Sequence, residues 1–61
     1  MNLVEIPNRN TWYPVKARGG TRYIDRDFWC RDNCQGRWIM NRMTTEFELH
    51  KDAVAFTLVW A

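Results

Sequence analysis

The sequence predicts a small α+β domain: a mostly antiparallel β-sheet of five or six short strands, with one short helix near residues 25–35. The main observation is the stretch TEFELHKDAVAFTLVW, residues 45–60, in which apolar and polar residues alternate and then give way to an apolar run. The second is the pair Gly19-Gly20, which lies between two strand-like segments. Sixty-one residues are enough for one domain with a marginal core.

The first predicted strand, Leu3 to Ile6, is short and ends at a proline. Thr11 to Arg18 is the next, and Pro14 within it indicates an edge strand or a bulge, because proline donates no ladder hydrogen bond. The two glycines then predict a tight hairpin loop, since both tolerate positive φ. The return strand is Thr21 to Ile24, which places Val15 opposite Ile24.

The helix is predicted over Asp25 to Gln35, DRDFWCRDNCQ. Asp25 is a suitable cap, Gly36 stands where a C-terminal glycine is common, and Asp27 and Arg31 are four residues apart. An alternative is that the preceding strand runs on into a loop here, because Asp and Asn are poor helix formers. Arg37 to Arg42 is predicted as a further strand.

The last third of the chain, Thr45 to Trp60, is predicted as a β-hairpin that turns at Lys51-Asp52. In this register Phe47 faces Phe56 on the apolar side, while Glu46 and Glu48 point to water. The second strand is apolar on nearly both faces, which is typical of a central strand.

Composition limits the classes of function. The net charge is +2, with seven Arg against two Lys, and 15% of the residues are aromatic. The start of the chain lacks the pattern of a signal peptide, and no run of 18 apolar residues is present. We therefore expect a cytoplasmic protein with free thiols and no membrane association.

A metal site is the weaker interpretation of Cys30, Cys34 and His50. The C-x₃-C spacing suits zinc, but structural zinc takes four ligands and no obvious fourth is present. Two small apolar residues on one helix face explain the cysteines more simply. His50 beside Glu48 is more typical of a charged surface pair than of a general base, and no catalytic motif accompanies it. We expect no enzyme activity, no cofactor and no metal.

Arginine and aromatic residues are interleaved in the middle of the chain, as they are in protein-binding hot spots and in single-stranded nucleic-acid platforms. The predicted function is a small non-enzymatic protein that occludes or regulates a larger partner protein, as an inhibitor or adaptor of the kind phages and viruses use. The alternatives are a single-stranded nucleic-acid or RNA-binding mini-domain, a zinc-stabilised mini-domain, or a core that absorbs all four Trp. Homodimerisation is compatible with each. The candidate partner-binding residues are Trp12, Arg22, Arg26, Arg31, Arg37, Trp38, Arg42, Glu46 and Glu48.

Overall fold

The computed structural model describes residues 11–61. Three strands and two helices follow one another along the chain: β1 (Tyr13–Lys16), α1 (Tyr23–Asn33), β2 (Trp38–Met40), β3 (Thr44–Phe47) and α2 (His50–Trp60). The strand predicted at Leu3 to Ile6 lies outside the described residues.

The strands form one antiparallel sheet in the order β1-β3-β2. Tyr13 and Trp38 are both in register with Phe47, from opposite sides of the central strand. β1 is therefore an edge strand, as Pro14 predicts. Ala17 N donates to Met43 O, so Ala17, Val15 and Tyr13 direct their backbone N–H and C=O groups toward β3. Pro14 lies between them and directs its backbone groups away from β3. Its missing N–H therefore removes no bond from the ladder.

Both helices pack on one face of the sheet and enclose the core. Phe47 and Phe56 are fully buried and contact each other, with ring centroids 5.0 Å apart. Cys30 of α1 belongs to the same buried cluster. The half-buried residues packed against this centre are Val15, Trp29, Cys34, Trp38, Met40 and Trp60. We call the other side the open face of the sheet, because neither α1 nor α2 covers it.

The prediction of five or six strands is wrong, although the molecule is a small α+β domain. Most of the error comes from the last third of the chain, where only Thr44–Phe47 is a strand and the apolar run is α2. An all-apolar run fits a buried strand and a helix equally well. The helix prevails because Ala53, Phe56 and Trp60 share one helical face, which covers the sheet.

The predicted hairpin over the two glycines is also wrong. Gly20 does adopt positive φ, at 88°, but the turn leads into α1 rather than into a second strand. The hydroxyl of Thr21 donates to Arg18 O at 3.0 Å across this turn. Val15 is consequently in register with Thr45 of β3, and not with Ile24.

Helix α1 starts and ends two residues earlier than predicted. Arg22 is its N-cap, so Asp25 lies inside the first turn, and Cys34 follows the last residue. Gly36 is not a left-handed helix terminator, since Gly20 is the one glycine in residues 11–61 with positive φ. Gly36 lies instead in the loop between α1 and β2, where it passes close to Leu49.

Candidate functional site

The candidate partner-binding residues do not form one surface, and the first group lies on the open face of the sheet. Arg37 and Glu48 are joined there by a hydrogen bond of 2.8 Å between Nη2 and Oε2 and one of 3.1 Å between Nε and Oε1. These bonds to Arg37 lower the pKa of Glu48 to about 2 and raise the pKa of Arg37. The guanidinium carbon also lies 5.9 Å from the ring centre of buried Trp12.

Glu46 completes this group on the same face. It is in register with Pro14 of β1 and with Ile39 of β2, and its Oε2 accepts from Asn41 Nδ2 at 3.3 Å. Glu48 is thus paired with a positive charge, while Glu46 accepts a hydrogen bond from a neutral amide.

Arg26 and Arg42 form a second group, at the β2–β3 turn. Arg26 is only 2% exposed, and its Nη2 donates to Arg42 O at 3.0 Å. Its Nε and Nη1 are also buried, and neither has a hydrogen-bond partner among the described residues. A guanidinium so enclosed does not lie at a contact surface, and an unpaired buried donor costs stability.

A third group meets at Asp27 of α1. Asp27 Oδ2 lies 3.2 Å from Arg31 Nε, and its Oδ1 accepts from Trp38 Nε1 at a long 3.4 Å. The Arg31 guanidinium carbon is also 5.8 Å from the centre of the Phe28 ring. Arg22 is exposed at the start of the same helix. Eight of the nine candidates are therefore divided among these three groups, and Arg22 lies apart from them.

The cysteines lie on the core side of α1, with Cys30 in the helix and Cys34 directly after it. Both thiols are free and Cys30 is fully buried, and the backbone N–H of Cys34 donates to Cys30 O at 2.9 Å. Burial raises the pKa of both thiols, most strongly that of Cys30. His50 packs on Tyr13 of β1, with ring centroids 5.0 Å apart. Within residues 11–61, no three His, Cys, Asp or Glu side chains are grouped as a metal site would require.

The most exposed apolar surface is the outer face of α2. Ala53 and Phe56 turn inward, which leaves Val54 and Leu58, one turn apart, pointing to solvent. Leu58 is 83% exposed, and Val59 beside it is 44% exposed. The part of α2 after Asp52 is apolar at nearly every position, but the described residues cover only one side of it.

Helix α1 exposes a second apolar group. Ile24 and Phe28 are 49% and 54% exposed and lie one turn apart. α2 contacts α1 on the side of Trp29, whose ring centroid is 5.7 Å from that of Phe56, while β2 lies on the side of Asp27. At 100° per residue, Ile24 lies on the Asp27 side of the helix, and Phe28 lies midway between Asp27 and Trp29, roughly opposite buried Cys30.

Sequence reasoning missed these exposed residues because it placed the last apolar run inside a sheet. No signal within residues 53–60 identifies them, because nearly every position there is apolar and the run fits a helix and a buried strand equally well.

Three further observations concern pockets, membrane-spanning helices and similarity to known proteins. Residues 11–61 enclose no pocket. Neither α1 nor α2 has the length and apolar character of a membrane-crossing helix. Comparison with protein-family models, with curated proteins and with solved structures finds no match to this chain.

Proposed function

We propose that this chain is a small non-enzymatic binding protein that occludes or regulates a larger protein, and that the outer face of α2 makes the contact. The observation that carries the proposal is Leu58, which is 83% exposed on a helix that is otherwise rich in apolar residues. Burying a leucine side chain stabilises a complex by about 1.5–3 kcal/mol, and Val54 adds a second apolar anchor one turn away.

The contact fits the recognition mode in which an amphipathic helix lies in a groove. Anchors at Val54 and Leu58 are spaced i, i+4, and Lys51 continues the same stripe toward the start of the helix. The one acidic residue of α2, Asp52, is buried and turned inward. A complementary partner therefore offers an apolar groove whose rim carries carboxylates near Lys51.

Leu58→Asp tests this assignment. We expect capture of the partner by the tagged chain to be lost, because a carboxylate replaces an apolar anchor and must be desolvated in the groove. Fold stability should change by no more than about 0.5 kcal/mol, since the side chain is exposed. The measurement is quantitative mass spectrometry of proteins recovered from nuclease-treated lysate, with circular dichroism of each variant.

Thr57→Asp is the matched control. It places the same charge on the same helix, one residue away and off the outer stripe. A protein that the wild-type chain and Thr57→Asp recover, and that Leu58→Asp does not, supports the proposal. Recovery that is unaffected by Leu58→Asp would refute the α2 assignment. Recovery that disappears on nuclease treatment would instead favour the nucleic-acid alternative.

A further inference from the structure

The two outer edges of the sheet differ in how well they are protected from pairing. On β1, Pro14 offers no N–H and Lys16 is an exposed charge, and both features discourage the addition of another strand. On β2 the residues are Trp38, Ile39 and Met40, without proline or charge. All three are only half buried. Natural sheets rarely leave an apolar edge like this one unpaired.

The backbone groups of that edge point outward. Glu48 N donates to Arg37 O and Asn41 N donates to Thr44 O, so the odd-numbered residues of this strand face β3. By alternation, Trp38 and Met40 direct their N–H and C=O groups away from the sheet. No described strand pairs with them.

A side-chain contact joins α1 to this strand. Trp38 Nε1 donates to Asp27 Oδ1 at 3.4 Å, so Asp27 of α1 lies close to β2. The outward backbone groups of β2 are the part of this flank that a docking strand would cover. Its occupant therefore pairs with β2 along the backbone.

We propose that this occupant is a second copy of the chain, added antiparallel to β2 about a two-fold axis at Ile39. The two three-stranded sheets then become one continuous sheet. Trp38 and Met40 of each copy exchange backbone hydrogen bonds with Met40 and Trp38 of the other. Such an interface uses the same patch twice, and both edges that remain are β1 strands, where Pro14 and Lys16 discourage further pairing.

The side chains of β2 are self-complementary in this register. Trp38 stands beside the second copy's Met40 on the core side, a favourable sulfur–aromatic combination. Ile39 meets its own counterpart on the open face, and Arg37 is opposite Asn41, so no like charges face each other. A dimer in this register therefore needs no residue that the chain does not already supply.

Met40→Pro tests the interface because it removes an outward N–H and leaves the ladder to β3 without a lost donor. Lys16→Pro is the matched control, since Lys16 occupies the equivalent outward position on β1. In sedimentation equilibrium over a range of concentrations, we expect a wild-type mass of twice the monomer. The dimer dissociation constant should rise at least tenfold in Met40→Pro and remain unchanged in Lys16→Pro.

A second variant keeps the test valid if Met40→Pro misfolds. Ile39→Lys places two lysines directly opposite each other, with their Cβ atoms about 5 Å apart across the two-fold axis, so the like charges should weaken the dimer. Added salt at 1 M should restore part of the affinity, since it screens charges beyond about 3 Å. Amide exchange at Trp38 and Met40 should slow as the wild-type concentration rises.

A wild-type chain that stays monomeric, or a dimer indifferent to Met40→Pro and Ile39→Lys, would overturn the proposal. The test is separate from that of the α2 surface, because Leu58 lies away from β2. Leu58→Asp should leave the dimer intact while it abolishes partner capture. A dimer that Leu58→Asp disrupts instead would place the interface on α2 and refute the β2 edge.

Discussion

At the scale of single residues, Gly36 is where two segments approach most closely. A Cβ added there would lie 2.6 Å from Leu49 Cγ and 2.9 Å from Leu49 Cδ1. Cγ is the branch point of the side chain, so a rotation of the terminal methyl groups does not relieve the contact. Glycine is required at position 36 because it has no side chain to meet Leu49, and not because of its backbone freedom.

We expect Gly36→Ala to destabilise the fold by about 1–3 kcal/mol, the usual cost of forcing extra volume into a packed contact. Urea unfolding followed by tryptophan fluorescence measures it. Gly19→Ala is the internal control: a Cβ at Gly19 meets nothing within 4 Å and its φ is not positive. Its stability should be unchanged or higher by up to about 1 kcal/mol, because alanine restricts the unfolded chain. Equal effects at both glycines would contradict the packing argument.

At the scale of elements, Asp52 joins the start of α2 to the loop between α1 and β2. Its Oδ2 accepts from Gly36 N at 2.9 Å, and both of its carboxylate oxygens accept from Gln35 N, at 3.1 and 3.2 Å. The carboxylate is in the first turn of α2, where the helix dipole favours negative charge. One buried side chain thus fixes the position of β2 relative to α2.

Asp52→Ala should cost about 1–3 kcal/mol, since it removes part-buried hydrogen bonds from the Gln35 and Gly36 N–H groups to a charged carboxylate. Chemical denaturation gives the value, and hydrogen exchange at Gln35 and Gly36 should accelerate more than exchange in β3. Lys51→Ala serves as the comparison. Lys51 also contacts the loop, through Gln35 Oε1 at 2.7 Å, but both groups are exposed, so we expect a change within about 0.5 kcal/mol. A large loss of stability in Lys51→Ala would show instead that Lys51, and not Asp52, anchors the loop.

The elements that sequence reasoning found are those with a local signal. The alternation in β3 is genuine, because Thr45 and Phe47 are fully buried while Glu46 is not. The pair Asp27 and Arg31 likewise marks a helix from its own residues. In residues 53–60, by contrast, nearly every position is apolar, so the period of the pattern carries no information. Contact with the rest of the fold decides that segment.

The candidate site was harder to predict for the same reason. Whether Arg26 is buried or Leu58 is exposed depends on which faces the sheet and the two helices cover. Residue type alone favours the opposite in both cases, since leucine is usually inside and arginine outside. The contact of Phe47 with Phe56 does occur, but as a helix-to-sheet contact rather than as a strand pair.

At the scale of the whole molecule, the Arg37–Glu48 pair makes stability depend on pH. Folding lowers the pKa of Glu48 from 4.5 to about 2, so the folded state binds this proton less readily than the unfolded state. The pair's contribution is therefore fully present above about pH 4.5 and is lost as the pH falls toward 2. Unfolding titrations between pH 7 and pH 2 should show this decline.

A double-mutant cycle isolates the pair from the other carboxylates. The coupling between Arg37→Gln and Glu48→Gln should be measurable at pH 7 and should shrink as the pH falls through about 2, where Glu48 becomes protonated in the folded state as well. Coupling that is the same at pH 7 and at pH 2 would show that the two residues interact through packing and not through charge.

The strand order affects the entropy that the chain loses when it folds. β3 meets β2 through a short turn, but its pairing with β1 joins Ala17 to Met43 and closes a loop of about 25 residues. Closing a flexible loop of that length costs on the order of 3 kcal/mol. Helix α1 occupies 11 of those residues and replaces them with a rod of about 16 Å, so the segment that must be closed is effectively shorter. Helix α1 therefore contributes Cys30 to the core and also shortens the flexible part of the longest connection between strands of the described sheet.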